Sequence, residues 1–144
     1  MENLSKYVEI ENEKLKIVDM FNDGNKGFAL INESLLNFTH KDIFAWNLIM
    51  TLSNINPMIL AQDNSLIENY RKIVEKKFNP IDKPNALFLA QVCVNNECDL
   101  IWRVHDPNIV DLVLQEEINS KTFEFGYIMT PDEDWSEVAA LLMM

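Results

Sequence analysis

The tightest constraint on the fold is a pair of apolar runs held apart by two asparagines. Ala86 to Val94 and Glu97 to His105 flank Asn95-Asn96. Asparagine tolerates the positive φ that a two-residue turn demands, so the runs predict an antiparallel hairpin. In that register Val94 faces Glu97, and Cys93 faces Cys98 in the next, non-hydrogen-bonded pair, with Cα atoms roughly 4.5 Å apart. A cross-strand disulfide is geometrically accessible there. Two cysteines are too few for a disulfide scaffold, and the expectation is a pair of small, half-buried, reduced thiols. Their spacing is neither a Cys-x-x-Cys redox motif nor a zinc knuckle.

The other elements arrange themselves around this hairpin. Residues 4–20 alternate between apolar and charged side chains, Asn22-Asp23-Gly24-Asn25 signals a turn, and Gly27 to Ile31 is apolar again. This predicts an N-terminal hairpin. Glu33 to Phe38 reads as a helical turn or a loop. Ile43 to Leu52 reads as a buried strand. Between Asp63 and Phe78, Leu66, Ile67, Tyr70, Ile73, Val74 and Phe78 recur at helical spacing. Asp63 or Asn64 is the expected cap, and Asn79-Pro80 the stop. Asp106-Pro107 opens a second helix, with aspartate as the cap and proline in the first helical position. Its stripe is Ile109, Val110, Leu112, Val113 and Ile118. Thr122 to Met129 follows as a strand, and Pro131 to Asp134 starts a last helix carrying Trp135, Val138, Leu141 and Leu142.

From residue 43 the order is β-α-β-β-α-β and then a helix. That is the order of a ferredoxin-like α+β sandwich, an antiparallel sheet with both helices on one face. The expected organisation is a hairpin extension over residues 1–42, packed on a core over 43–144. The hairpin either extends the sheet or covers its other face. A chain of 144 residues suits one domain and can bury a core without staples.

Charge narrows the function. There are 12 Lys and Arg against 23 Asp and Glu, for a net charge of −11. Phosphate binding needs the opposite surplus, so nucleic acid is excluded as a direct ligand, and anionic membranes are disfavoured. The imbalance is local: residues 1–80 carry a balance of −2 and residues 81–144 one of −9. Such a one-sign field steers a basic partner or keeps a protein soluble. No apolar run approaches a membrane span, and Met1 to Ile10 has charges where a signal peptide has its apolar core. The expected location is cytoplasmic.

Few residues form a reactive constellation. His40 and His105 are isolated and make no metal motif. Asp132-Glu133-Asp134 with Glu137 is the densest acidic cluster. It lacks the alternation and glycine of a calcium loop, and acids ahead of a helix serve as caps. Glycine-rich phosphate loops and nucleophile elbows are absent. No cofactor, metal or catalytic residue is expected.

The segments Phe88 to Val92, Asp99 to Pro107, Phe125-Gly126-Tyr127 and Asp132-Glu133-Asp134-Trp135 resemble the bacterial family called domain of unknown function 695. Phe44 to Leu52 and Leu66 to Phe78 are similar to its middle segment. Trp102 stands where that family usually has another aromatic such as tyrosine. The family has no established activity, so the resemblance implies no catalytic residue. Its members are sometimes joined to a domain similar to the regulator of ribonuclease E activity B, an acidic, ferredoxin-like protein inhibitor. The resemblance thus implies a protein-binding role.

Three functions compete. The first is an acidic inhibitor or adaptor of a basic protein, with contacts from Asp132, Glu133, Asp134, Glu137, Asp111, Glu116 and Glu117. The second is a small-molecule or enzymatic site around Trp102, Arg103 and His105, where Arg103 binds an anion. The third is a homo-oligomerising module, a homodimer for instance, paired through a sheet edge or the methionine-rich terminus.

Overall fold

A computed structural model describes residues 14–22, 25–55, 65–80, 84–120 and 123–144. Six strands are joined in one antiparallel sheet: β1 (Leu15–Asn22), β2 (Asn25–Asn32), β3 (Trp46–Ser53), β4 (Ala86–Val94), β5 (Glu97–Val104) and β6 (Glu124–Pro131). Their order across the sheet is β1-β2-β4-β5-β3-β6. The helices are α1 (Ser65–Phe78), α2 (Pro107–Glu117) and the short α3 (Ala139–Leu142). The fold is therefore mixed α+β, as the order of elements predicts. The N-terminal hairpin extends the sheet, through β2 against β4. Residues 4–13, the turn residues Asp23 and Gly24, and the proposed caps Asp63 and Asn64 lie outside the described residues.

The central hairpin has the expected register. Val94 pairs with Glu97 and Cys93 with Cys98, around a turn in which Asn95 has φ 58°. The two sulfurs are joined, with Cα atoms 4.2 Å apart, where reduced thiols are expected from sequence. The cause is the pairing itself: this register sets the two Cβ atoms face to face. The link closes a loop of sequence separation 5. From loop-closure entropy, Cys93→Ala/Cys98→Ala is expected to cost about 2 kcal/mol. Urea midpoints of oxidised, dithiothreitol-reduced and double-variant protein check this, and the last two should coincide. Beside the disulfide, β2 approaches closely enough that a Cβ on Gly27 would overlap the Cys93 carbonyl oxygen.

Period-two alternation sends side chains to two faces, and each face has a core. On one face Leu48, Met50, Leu52, Phe88, Leu100, Trp102 and Val104 pack against α1 and α2. Helix α1 contributes Ile67, Tyr70, Arg71, Val74 and Phe78, and α2 contributes Val110, Leu114 and Glu117. Both helices thus lie on one face. Asp106 caps α2 as predicted, its carboxylate accepting the Asn108 N–H at 2.9 Å. The observed stripes differ from the predicted ones. Leu66, Ile73 and Leu112 are exposed, while Arg71 and Glu117 hold interior positions.

On the other face Ala29, Ile31, Leu87, Leu89, Ala90 and Ile101 are covered by Leu35, Phe44, Trp135 and Val138. This layer comes from segments 33–45 and 132–144. A bulge between Phe88 and Ala90 in β4 inserts Leu89 into it. The predicted last helix is a 3-10 turn, Ser136–Val138, followed by α3. Trp135 begins the turn with φ 61°, a left-handed conformation rare for an aromatic. Its buried ring holds it there: Nε1 donates to the carbonyls of Lys41 and Phe44, each at 3.0 Å. Among the described residues no helix is long and apolar enough to cross a membrane.

Candidate functional site

The chemistry-bearing residues on the second face begin with Arg103. It lies on β5, opposite Asn47 of β3 and Leu87 of β4. Its side chain is fully buried. Nη1 donates to Asp132 Oδ2 at 3.0 Å, Nη2 to the Asp132 carbonyl, and Nε to the Phe44 carbonyl at 3.4 Å. The guanidinium lies 4.9 Å from the centre of the Trp135 ring.

Asp132 is brought inward by the chain's turn after β6, where its N–H reaches the Ala45 carbonyl at 2.7 Å. Besides Arg103 it accepts from the Ser136 N–H and hydroxyl at 3.1 and 2.8 Å, and from the Glu137 N–H at 2.9 Å. Burial pushes the Asp132 pKa up, but the Glu137 N–H, Ser136 and Arg103 outweigh it, so it falls below its ordinary value. Burial lowers the Arg103 pKa against the opposing pull of Asp132. Next to this pair Asn47 Nδ2 donates to Glu137 Oε2 at 3.1 Å, and Thr130 donates to the same oxygen at 2.9 Å. The buried side-chain oxygen of Asn47, Oδ1, has no hydrogen-bond partner among the described residues.

This arrangement separates the proposed anion site. Trp102 and Arg103 are neighbours on a strand, so they point to opposite faces. Trp102 is buried under α1, where its Nε1 donates to Glu75 Oε1 at 2.8 Å. His105 is exposed, with Nδ1 2.9 Å from the Ile43 carbonyl. The three side chains do not converge, and the Arg103 charge is already matched by Asp132.

The acidic set is divided too. Asp132 and Glu117 are buried. Glu117 accepts from Lys77 at 2.9 Å and Tyr70 at 3.2 Å. Burial raises its pKa, but Lys77, Ser120 and Tyr70 prevail and lower it overall. Asp111 and Glu116 are exposed on α2; Asp111 accepts the Tyr127 hydroxyl. Glu133, Asp134 and Glu137 are exposed on the opposite side of the sheet. Arg71 was missed from sequence, because a stripe of apolar residues has no place for a cation. It is buried over the Phe88 ring, 3.8 Å from its centre, and Nη1 meets Glu75 at 3.3 Å.

Two buried carboxylates with lowered pKa values make the fold acid-sensitive. Stability from such groups is present above their unfolded-state values, 3.8 for Asp132 and 4.5 for Glu117. It is lost as pH falls through the lower folded-state values. Urea midpoints should therefore hold steady from neutral pH to about pH 5 and fall steeply below pH 4. Glu117→Gln should flatten that fall.

Two cavities open on the described surface. One of about 280 Å³ lies beside the start of β6, lined by Ile118, Phe123, Glu124 and Phe125. The other, about 200 Å³, lies between Lys16, Ile31, Glu33 and the C-terminal Leu142 to Met144. Neither gathers the convergent polar groups of a catalytic pocket. Among the described residues no group of three or more His, Cys, Asp or Glu could hold a metal ion. No protein-family model, curated protein or solved structure matches the chain.

Proposed function

We propose that this chain is a non-enzymatic, acidic interaction module that docks on a basic protein as its inhibitor or adaptor. One observation carries the reading. Among the described residues from 84 onward the only Lys or Arg is Arg103, and it is buried against Asp132. That half therefore presents carboxylates with no surface cation among the described residues to offset them, and the field reaches solvent. Internal pairing of Arg103, Asp132, Glu117 and Lys77 supports a structural role for those groups rather than a reactive one. The order β4-β5-β3-β6, with α1 after β3 and α2 after β5, supports a ferredoxin-like core.

The test is affinity capture on the immobilised chain, with mass spectrometry and a salt series. A basic protein retained at about 50 mM salt and released at about 500 mM is the expected result, because screening shortens to about 3 Å near 1 M. Capture of nothing at low salt, or of a neutral protein indifferent to salt, overturns the reading.

A further inference from the structure

An apolar row crosses the second face of the sheet. Ile31, Ala90, Ile101, Ile49 and Ile128 stand opposite one another on β2, β4, β5, β3 and β6. The layer built from segments 33–45 and 132–144 buries the first three. It stops there: Ile49 is half-buried, and Ile128 is 66% exposed. In the adjoining row Thr51 faces Gly126, and a Cβ on Gly126 would meet nothing within 4 Å. The open strip is therefore β3 and β6, with the edge of β5. At about 4.8 Å between strands it is roughly 10 Å wide.

Carboxylates border the strip. Asp99 lies beside Thr51 and accepts its hydroxyl at 2.6 Å. Glu124 and Glu137 stand at its two ends. None of the three is in an ion pair among the described residues. The single cation on β3, β5 and β6 is the buried Arg103.

We infer that this strip is the docking surface for a cationic amphipathic helix of a partner protein. The inference deepens the proposed function and rests on it. A helix is about 10–12 Å across with its side chains, the width of the strip. Seated there, it would extend the layer that already covers the other half of this face. Its apolar stripe would meet Ile49 and Ile128, and Lys or Arg on its flanks would reach Asp99, Glu124 and Glu137. Charge complementarity favours this occupant over a second copy, which brings its own net charge of −11.

The probe is a synthetic helix of about 18 residues, leucine on one face and lysine elsewhere, with a scrambled peptide of equal composition. Each is titrated at low salt into the full chain labelled at isoleucine methyls and backbone amides. The expected result is a shift of the Ile49 and Ile128 methyls and the Gly126 amide by the helix. Affinity should drop roughly tenfold or more in Ile128→Glu and several-fold in Asp99→Asn/Glu124→Gln. Equal binding of the scrambled peptide, or shifts centred on Asp111 and Glu116, overturns this surface and leaves the acidic-module reading standing. Contacts to Ile128 from elsewhere in the chain or from a second copy, before any peptide is added, also overturn it. No binding of either peptide also overturns this surface, and the affinity capture with its salt series decides the acidic-module reading separately.

Discussion

Asp132→Ala is expected to destabilise the protein by about 3–5 kcal/mol, against the roughly 5–15 kcal/mol a domain of this kind holds in total. The loss comes from what stays behind. Arg103 is 0% exposed and Asp132 is 8% exposed, so removing the carboxylate strands a cation away from water. The same substitution removes acceptors from the Ser136 and Glu137 N–H groups, which start the turn carrying Trp135 and Val138. Asp132→Asn keeps an acceptor and loses the charge, so it should cost less. The double variant Arg103→Met/Asp132→Asn should cost less than the sum of its parts, since no isolated charge remains. Urea denaturation followed by circular dichroism measures all three. A loss below about 1 kcal/mol for Asp132→Ala would mean water reaches Arg103.

Trp102→Ala should cost a similar amount on the other face, about 3–5 kcal/mol. Its ring is fully buried and meets Phe78 and Phe88 edge-on, with centres 5.1 and 5.9 Å apart. Truncation removes those contacts and leaves a cavity that the surrounding core fills only in part. Trp102→Phe separates packing from polarity. It keeps most of the aromatic volume and removes the Nε1 donor to Glu75, so its loss should be about 1–2 kcal/mol. Thermal unfolding compares them, and Trp102→Ala should lower the Tm by at least about 6 °C. Equal losses for the two variants would show that the Glu75 bond, not the ring, dominates.

The strands were legible because alternation and turn residues are local properties. The hairpin around Asn95-Asn96 followed from two residues and the runs beside them, as did the register that sets Cys93 opposite Cys98, though not the bond between their sulfurs. The Asp106-Pro107 start of α2 was equally local. What escaped depends on which charged groups meet, one helical turn apart for Arg71 and 40 residues apart for Glu117. Arg71 and Glu117 occupy interior stripe positions because Glu75 and Lys77 supply opposite charges, and apolar periodicity cannot register that. The acidic residues near the C-terminus form one cluster in the chain, but the turn after Pro131 sends Asp132 inward and leaves Glu133 and Asp134 outside. The separation of Trp102 from Arg103 was available from sequence, since adjacent strand residues face opposite ways. The open strip was not, because its limits are set by how far segments 33–45 and 132–144 reach.

The Arg103–Asp132 pair also orders events in time. A ribosome makes the cation 29 residues before its counter-charge. Until Asp132 emerges, closing the second face around Arg103 would bury a bare guanidinium, so the nascent chain has reason to keep that face wet. The α1–α2 face has no such dependence on residues 132–144. Vectorial synthesis therefore favours a half-built intermediate, with one core packed and the other waiting. During that interval Ile31, Leu89 and Ile101 are uncovered, and this is when the chain is most exposed to aggregation and to chaperones.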